Sequence, residues 1–274
     1  MIARAEWIYV SKKIFPTYPP SALAQPKTCV RQLEEIARWS EDAGHRGLLG
    51  GLVARIRTRS RHARAETFLK LFELSSSTRV LDLGAGNGTH IHAVLEGSPV
   101  RPANTYIADI DEEAVNAGAA RYHFTSVLIM EAGRLPFSDR FFDIVFCSSV
   151  IEHVTVPKEI MWNLTSGSRF RSMARLRQHQ FAAEIRRVGK GYFVQVPYRW
   201  FPIESHTWLP FFSYLPRRTQ ISLLGFTNQF WIKATIPDFH LPSEPEMRSY
   251  FPDARILRER TFGMTKSLIA YRRV

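Results

Sequence analysis

Val80-Leu81-Asp82-Leu83-Gly84-Ala85-Gly86-Asn87-Gly88 sets three alternate glycines directly after a short apolar run. Such a run bounded by glycine reads as a buried strand. Glycines at every second position let the backbone turn sharply and approach a ligand that side chains would exclude. The residues after Gly88 (Thr89-His90-Ile91-His92-Ala93-Val94-Leu95) open a helix, whose free amide groups point at the same ligand. A carboxylate, Asp109, ends the next apolar run about 20 residues on, where it can accept both hydroxyl protons of a ribose. The glycine spacing departs from the dinucleotide pattern, which puts its third glycine one residue later, at the position of Thr89. Asp82, just before the loop, would repel a phosphate and suits an amino group.

Outward from this loop the texture is alternating. Tyr106–Asp109, Ser126–Met130, Phe142–Cys147 and Tyr192–Val196 read as further strands, with a helix from Asp111 to about Arg121. Asp111 reads as the N-cap of that helix, and Asp143 as the anchor of a turn. Strands alternating with helices predict a parallel sheet covered on both faces. Arg255–Phe262 and Ser267–Tyr271 predict an antiparallel pair at one edge. The expected fold class is α/β: a Rossmann-like, seven-stranded, mostly parallel sheet with helices on both faces, an antiparallel final strand pair, an N-terminal helical arm and an inserted cap.

The arm is expected over 1–75. It holds a proline-rich stretch at 15–27, a helix over 28–43 interrupted by the glycines at 44–51, a second helix over 60–73, and a serine linker at 75–77. The main domain is expected over 76–274. Two segments interrupt its regular pattern: a basic amphipathic helix at 165–188 and an aromatic, proline-containing segment at 198–241, read as a substrate cap. The cap reading rests on its place after the fifth strand, near the carboxyl ends where open α/β sheets bind ligands.

The chain has 274 residues, 45% hydrophobic and 23% charged, an ordinary globular composition. No stretch approaches the ~20 apolar residues of a membrane span. Two cysteines, Cys29 and Cys147, make neither a disulfide framework nor a metal cluster, and Cys147 reads as a small buried side chain. A cytoplasmic location is expected, with peripheral membrane contact as a second option. The net charge is +12, concentrated in arginines at 55–64 and 169–187. This favours anionic partners or a solvated basic face alike.

Five ordered segments together resemble the class I S-adenosylmethionine-dependent methyltransferases, in particular the type 11 subgroup. They are Val80–Gly88 (VLDLGAGNG), Ala108–Val115 (ADIDEEAV), Glu131–Asp139 (EAGRLPFSD), Phe142–Val154 (FDIVFCSSVIEHV) and Ile185–Pro197 (IRRVGKGYFVQVP). The resemblance implies S-adenosylmethionine as cofactor. It implies that Gly84, Ala85, Gly86 and Gly88 surround the methionine part, that Asp82 lies near its amino group, and that Asp109 takes the ribose hydroxyls. Ile110 is expected on the adenine. Glu131 stands where the family usually has Asp, and Ala132 offers a backbone amide to the adenine ring. Ser148 completes the expected cofactor set.

For the chemistry, His153 is the candidate general base, with a histidine packing the next helix as the alternative. Glu152 either orients it or faces solvent. Phe201-Pro202-Ile203-Glu204-Ser205-His206 resembles a Pro-Ile-Glu-x-His element of some type 11 relatives, which makes His206 the reserve base. Relatives that bind a metal carry an extra Glu where this chain has Ser149, and His90 and His92 are spaced to face different ways. No metal is expected. The expected reaction is methylation of a small molecule, at a hydroxyl of a glycosyl, lipid or secondary-metabolite acceptor. A nucleic-acid methyltransferase is the alternative prompted by the arginines. Cys147-Ser148-Ser149-Val150 lacks both the Asn/Asp-Pro-Pro-aromatic and the Pro-Cys elements such enzymes use, so nucleic acid is not the expected partner. A non-catalytic protein that binds S-adenosylmethionine at an anionic membrane surface is the third option.

Overall fold

The computed structural model describes residues 48–129, 133–231 and 233–274, with side chains from residue 59 onward. The helix expected over 28–43, Cys29, Glu131 and Ala132 lie outside the described residues.

In chain order the elements are α1 (Leu48–Leu71), β1 (Val80–Leu83), α2 (Thr89–Leu95), β2 (Thr105–Asp109), α3 (Glu112–Tyr122), β3 (Thr125–Leu128) and β4 (Phe142–Ser148). Then come α4 (Gly167–Val188), β5 (Gly189–Pro197), α5 (Arg217–Thr227), α6 (Glu244–Tyr250), β6 (Arg255–Thr261) and β7 (Met264–Arg272). The seven strands form one sheet in the order β3-β2-β1-β4-β5-β7-β6. Only β7 runs against its neighbours β5 and β6.

The pleat sorts each strand's side chains between two cores. Val80, Ile107, Ile144, Phe146 and Phe193 face Phe68 and Phe72 of α1 and Ile91 and Val94 of α2. Leu81, Leu83, Val145, Cys147 and Val194 face Ala182, Ile185 and Val188 of α4 and Met247 and Tyr250 of α6. Both faces being covered explains why these strands read as unbroken apolar runs. Phe68, Phe146 and Phe193 are all fully buried, and Phe146 stacks on Phe193 at 5.4 Å.

Three details differ from the sequence reading. The helix expected over 60–73 begins earlier, at Leu48, and runs through Gly50 and Gly51 in its first turn. The basic helix at 167–188 is not an insertion. It is the crossover that joins parallel strands β4 and β5, the connection a parallel pair requires. Its buried stripe is Phe170, Ala174, Gln178, Ala182, Ile185 and Val188, while Leu176 is 61% exposed. Finally, β5 begins at Gly189, because Gly189 and Gly191 pair with Phe142 and Ile144 through backbone alone.

The α4 arginines are also less free than their sequence suggests. Arg175 pairs with Glu246, Arg186 with Asp253, and Arg187 with both Glu184 and Asp139. Three of these four carboxylates come from other segments of the chain.

The 198–241 segment has a small core of its own, Phe212, Leu224, Phe239 and Leu241. Trp200, Phe211, Tyr214, Phe226 and Phe230 stay exposed around it. No helix of the described residues is long and apolar enough to cross a membrane.

Candidate active site

β1 and β4 are neighbours whose connections leave in opposite directions, so a crevice opens between their carboxyl ends. The glycine loop fills one side of it. Gly84 has φ +79°, and a Cβ there would lie 2.3 Å from a methyl of Val150, two residues beyond the end of β4 across the crevice. α3 presses on the same loop from behind: a Cβ on Gly118 would lie 2.3 Å from the Asn87 carbonyl oxygen.

Asp109 organises the loop. Its Oδ2 accepts the Gly86 N–H at 2.7 Å, and its Oδ1 accepts those of Ile110 at 2.7 Å and Asp111 at 3.2 Å. Asp111 does cap α3, accepting from Ala114 N–H. Ile110 is 47% exposed beside Asp109, an apolar side chain left uncovered at the crevice. Asp82 is 3% exposed, and burial together with the Asp109 charge pushes its carboxyl up to about 8. No cation lies within 4 Å of it among the described residues.

Ser148, at the end of β4, donates to Gln195 Oε1 at 2.9 Å and accepts from Arg64 Nη1 at 3.0 Å. Arg64 thus reaches from α1 to the floor of the crevice, where Glu259 at 3.3 Å balances its charge. Nearby His90 packs edge-on to Phe146; burial and the charges of Arg64 and Arg61 hold it down at about 3, so it stays neutral. His92 faces elsewhere and stacks on Tyr122.

Across the crevice the structure brings Glu152, His153 and His206 together. Glu152 and His153 lie on a single 3-10 turn after β4, and His206 lies on the loop after β5. Glu204 is buried and accepts the backbone N–H groups of His206 (2.9 Å) and Thr207 (2.7 Å), and its Oε1 lies 2.7 Å from His206 Nδ1. Burial alone would raise the Glu204 carboxyl, but the His206 charge and these bonds hold it at about 2. Burial alone would lower His206, but Glu204 and then Glu152 push it up to about 10. Glu152 is fully buried, with neither carboxylate oxygen hydrogen-bonded; His206 Nε2, at 3.6 Å, is at ion-pair distance. Phe239 stacks on the His206 ring at 4.5 Å, and His153 meets its edge at 4.7 Å. His153 Nδ1 lies 3.1 Å from Asp238 Oδ2.

One ligand atom from each of Glu152, His153 and His206 falls within 4.8 Å of the others, so the group has the composition to hold a divalent cation. At neutral pH the proton on His206 supplies positive charge at the same place.

Sequence reasoning missed Arg64, Gln195, Asp238 and Phe239. Arg64 was visible only as one of a run of arginines. Asp238 and Phe239 sit in the segment without a recognisable pattern, and only the folded chain returns them to the 3-10 turn.

The sheet order, the glycine loop at the switch point and the groups facing it define a doubly wound α/β fold with a ligand crevice at its switch point. Residues 81–166 match the family model described as a methyltransferase domain. The magnesium protoporphyrin IX methyltransferase of Synechocystis PCC 6803, solved with bound SAH, is 14% identical, with a TM-score of 0.50 over 90% of this chain and 99% of that one. A SAM-dependent methyltransferase from Aquifex aeolicus is 17% identical, with a TM-score of 0.42 over 76% of this chain and 87% of that one. No curated protein matches the sequence. The chain thus carries a methyltransferase domain over residues 81–166, within an α/β fold shared with a methyltransferase solved with bound SAH.

Proposed function

We propose that this protein transfers the methyl group of S-adenosylmethionine to a hydroxyl of a small-molecule acceptor held under the 198–241 cap. The observation that carries the acceptor side is the Asp238–His153 pair, a carboxylate bonded to the imidazole of an exposed histidine three residues beyond the Gly84–Val150 contact.

The crevice residues suit the cofactor. Asp82 is a buried carboxyl without a cation, matched to an α-ammonium group. Gly84, Ala85, Gly86 and Gly88 leave the backbone bare around it. The three backbone bonds on Asp109 fix its plane and leave capacity for a ribose hydroxyl, since a carboxylate has about four acceptor sites. Ile110 offers an apolar face to the adenine, and Ser148 and Arg64 close the far side. Glu131 and Ala132 remain assigned to the adenine edge by resemblance.

Bound, S-adenosylmethionine supplies a methyl group on a sulfonium that leaves as a neutral thioether. The protein's work is alignment and proton removal. Asp238 holds Nδ1 of His153, which leaves Nε2 to take the acceptor's hydroxyl proton as the oxygen bonds to carbon. His206, an imidazolium between Glu204 and Glu152, is not the base; it is the fixed charge that lets Glu152 stay buried beside the reacting groups. This step uses no metal. The pairing of the α4 arginines within the fold also favours a small molecule over nucleic acid.

Calorimetry with S-adenosylmethionine tests the cofactor half: wild-type protein binds and Asp109→Ala weakens binding. Methyl transfer from labelled cofactor tests the rest. His153→Ala should lower turnover about 10²- to 10⁴-fold with cofactor affinity unchanged, and a chelator should leave turnover intact. Unchanged turnover in His153→Ala would remove the assigned base.

A further inference from the structure

Behind Phe239, on the side away from His206, lies a second cleft that the methyl-transfer step does not use. It is a half-open cleft of about 90 Å³, with room for one compact oxyanion. The N-termini of two helices meet there: Gly167 opens α4, and Pro216 and Arg217 open α5. Neither helix has an acidic residue in its first turn, and α5 has no side-chain cap. Three arginines line the cleft: Arg171, Arg199 and Arg217.

Arg217 is 7% exposed, yet no carboxylate lies within 4 Å of it among the described residues. It donates instead to the carbonyls of Met161 (3.0 Å) and Pro237 (2.6 Å) and lies over the Phe170 ring at 3.7 Å. The Arg171 guanidinium comes to the same helix start: a Cβ on Gly167 would lie 3.2 Å from its Nη1 and 3.3 Å from Arg217 Cβ. Ser213, also on the lining, has a buried hydroxyl with no hydrogen-bond partner. His240 is 6% exposed; its Nδ1 bonds Gln178 Oε1 at 3.0 Å, and its Nε2, without a hydrogen bond, lies 3.9 Å from Glu246 Oε1.

We infer that this cleft binds a phosphoryl group carried by the small-molecule acceptor, with Arg171, Arg199 and Arg217 and the two helix N-termini as its ligands. Buried positive charge without a counterion is costly. Asp238 bears on Arg217 from beyond 4 Å, and two helix N-termini add positive potential beside the three guanidiniums. A phosphoryl dianion fits better than a carboxylate, because it brings two charges and three acceptor oxygens to a site with this many donors. The cleft is tied to the reaction side by two contacts: Phe239 stacks on His206, and the His240 N–H donates to the Glu152 carbonyl at 2.8 Å. An anchor here would hold the rest of the acceptor towards His153. That last point rests on the methyl-transfer reading; anion binding itself does not.

The test is calorimetry of the full chain with inorganic phosphate and with glycerol 3-phosphate, repeated on Arg171→Gln and Arg217→Gln. Saturable binding of both probes, weakened at least about 10-fold in each variant, is expected. Arg171 is exposed, so its variant keeps the test valid if Arg217→Gln fails to fold. Equal binding in Arg171→Gln and wild type, or none in wild type, overturns the site. Sedimentation with phosphatidic acid vesicles separates the source. Vesicle binding that is lost in Arg171→Gln, with no binding of the soluble probes, would assign the cleft to a lipid headgroup and overturn the small-molecule reading. S-adenosylmethionine binding is measured on the same samples. Its absence with phosphate binding intact would sink the methyl-transfer reading alone.

Discussion

Glu152 and His206 form a buried ion pair, 3.6 Å apart, in which the carboxylate has no other partner. His206 is also held by Glu204 at 2.7 Å, so one imidazolium balances two carboxylates. Removing it with His206→Ala strands Glu152 in the interior. The expected cost is about 3–5 kcal/mol, read by denaturant unfolding. The sign with pH follows from the raised value of about 10. The His206 contribution is fully present below about 6.5, the unfolded value, and is lost as pH rises through about 10. Glu204, held at about 2, adds stability above its unfolded value that disappears as pH falls through about 2. A variant whose stability-versus-pH curve parallels wild type at alkaline pH would refute the pairing.

Asp238 acts through His153, so its substitution should separate turnover from binding. Asp238→Asn is expected to lower kcat about 10²-fold and to leave KM for S-adenosylmethionine unchanged. Asp238→Glu should restore part of the loss. A role confined to folding would instead lower thermal stability and the active fraction, with the kcat of the remaining molecules unaltered.

Asp82 opposes folding, and on the proposed function it serves binding. Its carboxyl is raised to about 8, so the ionised form is disfavoured in the folded chain and stability falls as pH rises from about 4 to about 8. Asp82→Asn is expected to stabilise the cofactor-free protein at neutral pH by a few kcal/mol, about 2–4 °C in melting temperature for each. The same substitution should weaken S-adenosylmethionine. Wild-type affinity should rise with pH up to about 8 as Asp82 ionises, and this rise should be missing in the variant. Unchanged melting and unchanged affinity together would remove Asp82 from the site.

Gly118→Ala decides between two effects of opposite sign. Alanine in a helix interior gains up to about 1 kcal/mol over glycine. Here the new Cβ would lie 2.3 Å from the Asn87 carbonyl oxygen, a backbone atom that cannot swing aside. Overlap should win, costing about 1–3 kcal/mol, and the displaced glycine loop should bind S-adenosylmethionine less well. A gain in melting temperature would show that α3 does not bear on the loop as described.

The glycine-loop half of the candidate site was legible in the sequence because it is local. Val80–Gly88 contains its own strand, turn and helix start, and Asp109 follows one strand later, so period and spacing suffice to place them. Glu152 and His153 share one 3-10 turn, but Glu152 neither orients His153 nor faces solvent: it is fully buried at ion-pair distance from His206, and Asp238 holds His153. The α4 helix shows the limit of that logic. Its residues were legible as helical and basic, but an interruption and a crossover look alike until β4 and β5 are seen to pair in parallel.

Sequence alone determined the order of strands and helices, the doubly covered sheet and the glycine loop with Asp109 beside it, since each follows from neighbours within a few residues. Tertiary structure decided the charges. His206 meets Glu152 across 54 positions and His153 meets Asp238 across 85, while Arg217 has no carboxylate within 4 Å among the described residues. Whether a buried histidine is a base or a fixed cation depends on which carboxylates the fold carries to it and how much water it removes, and neither quantity is written in spacing along the chain.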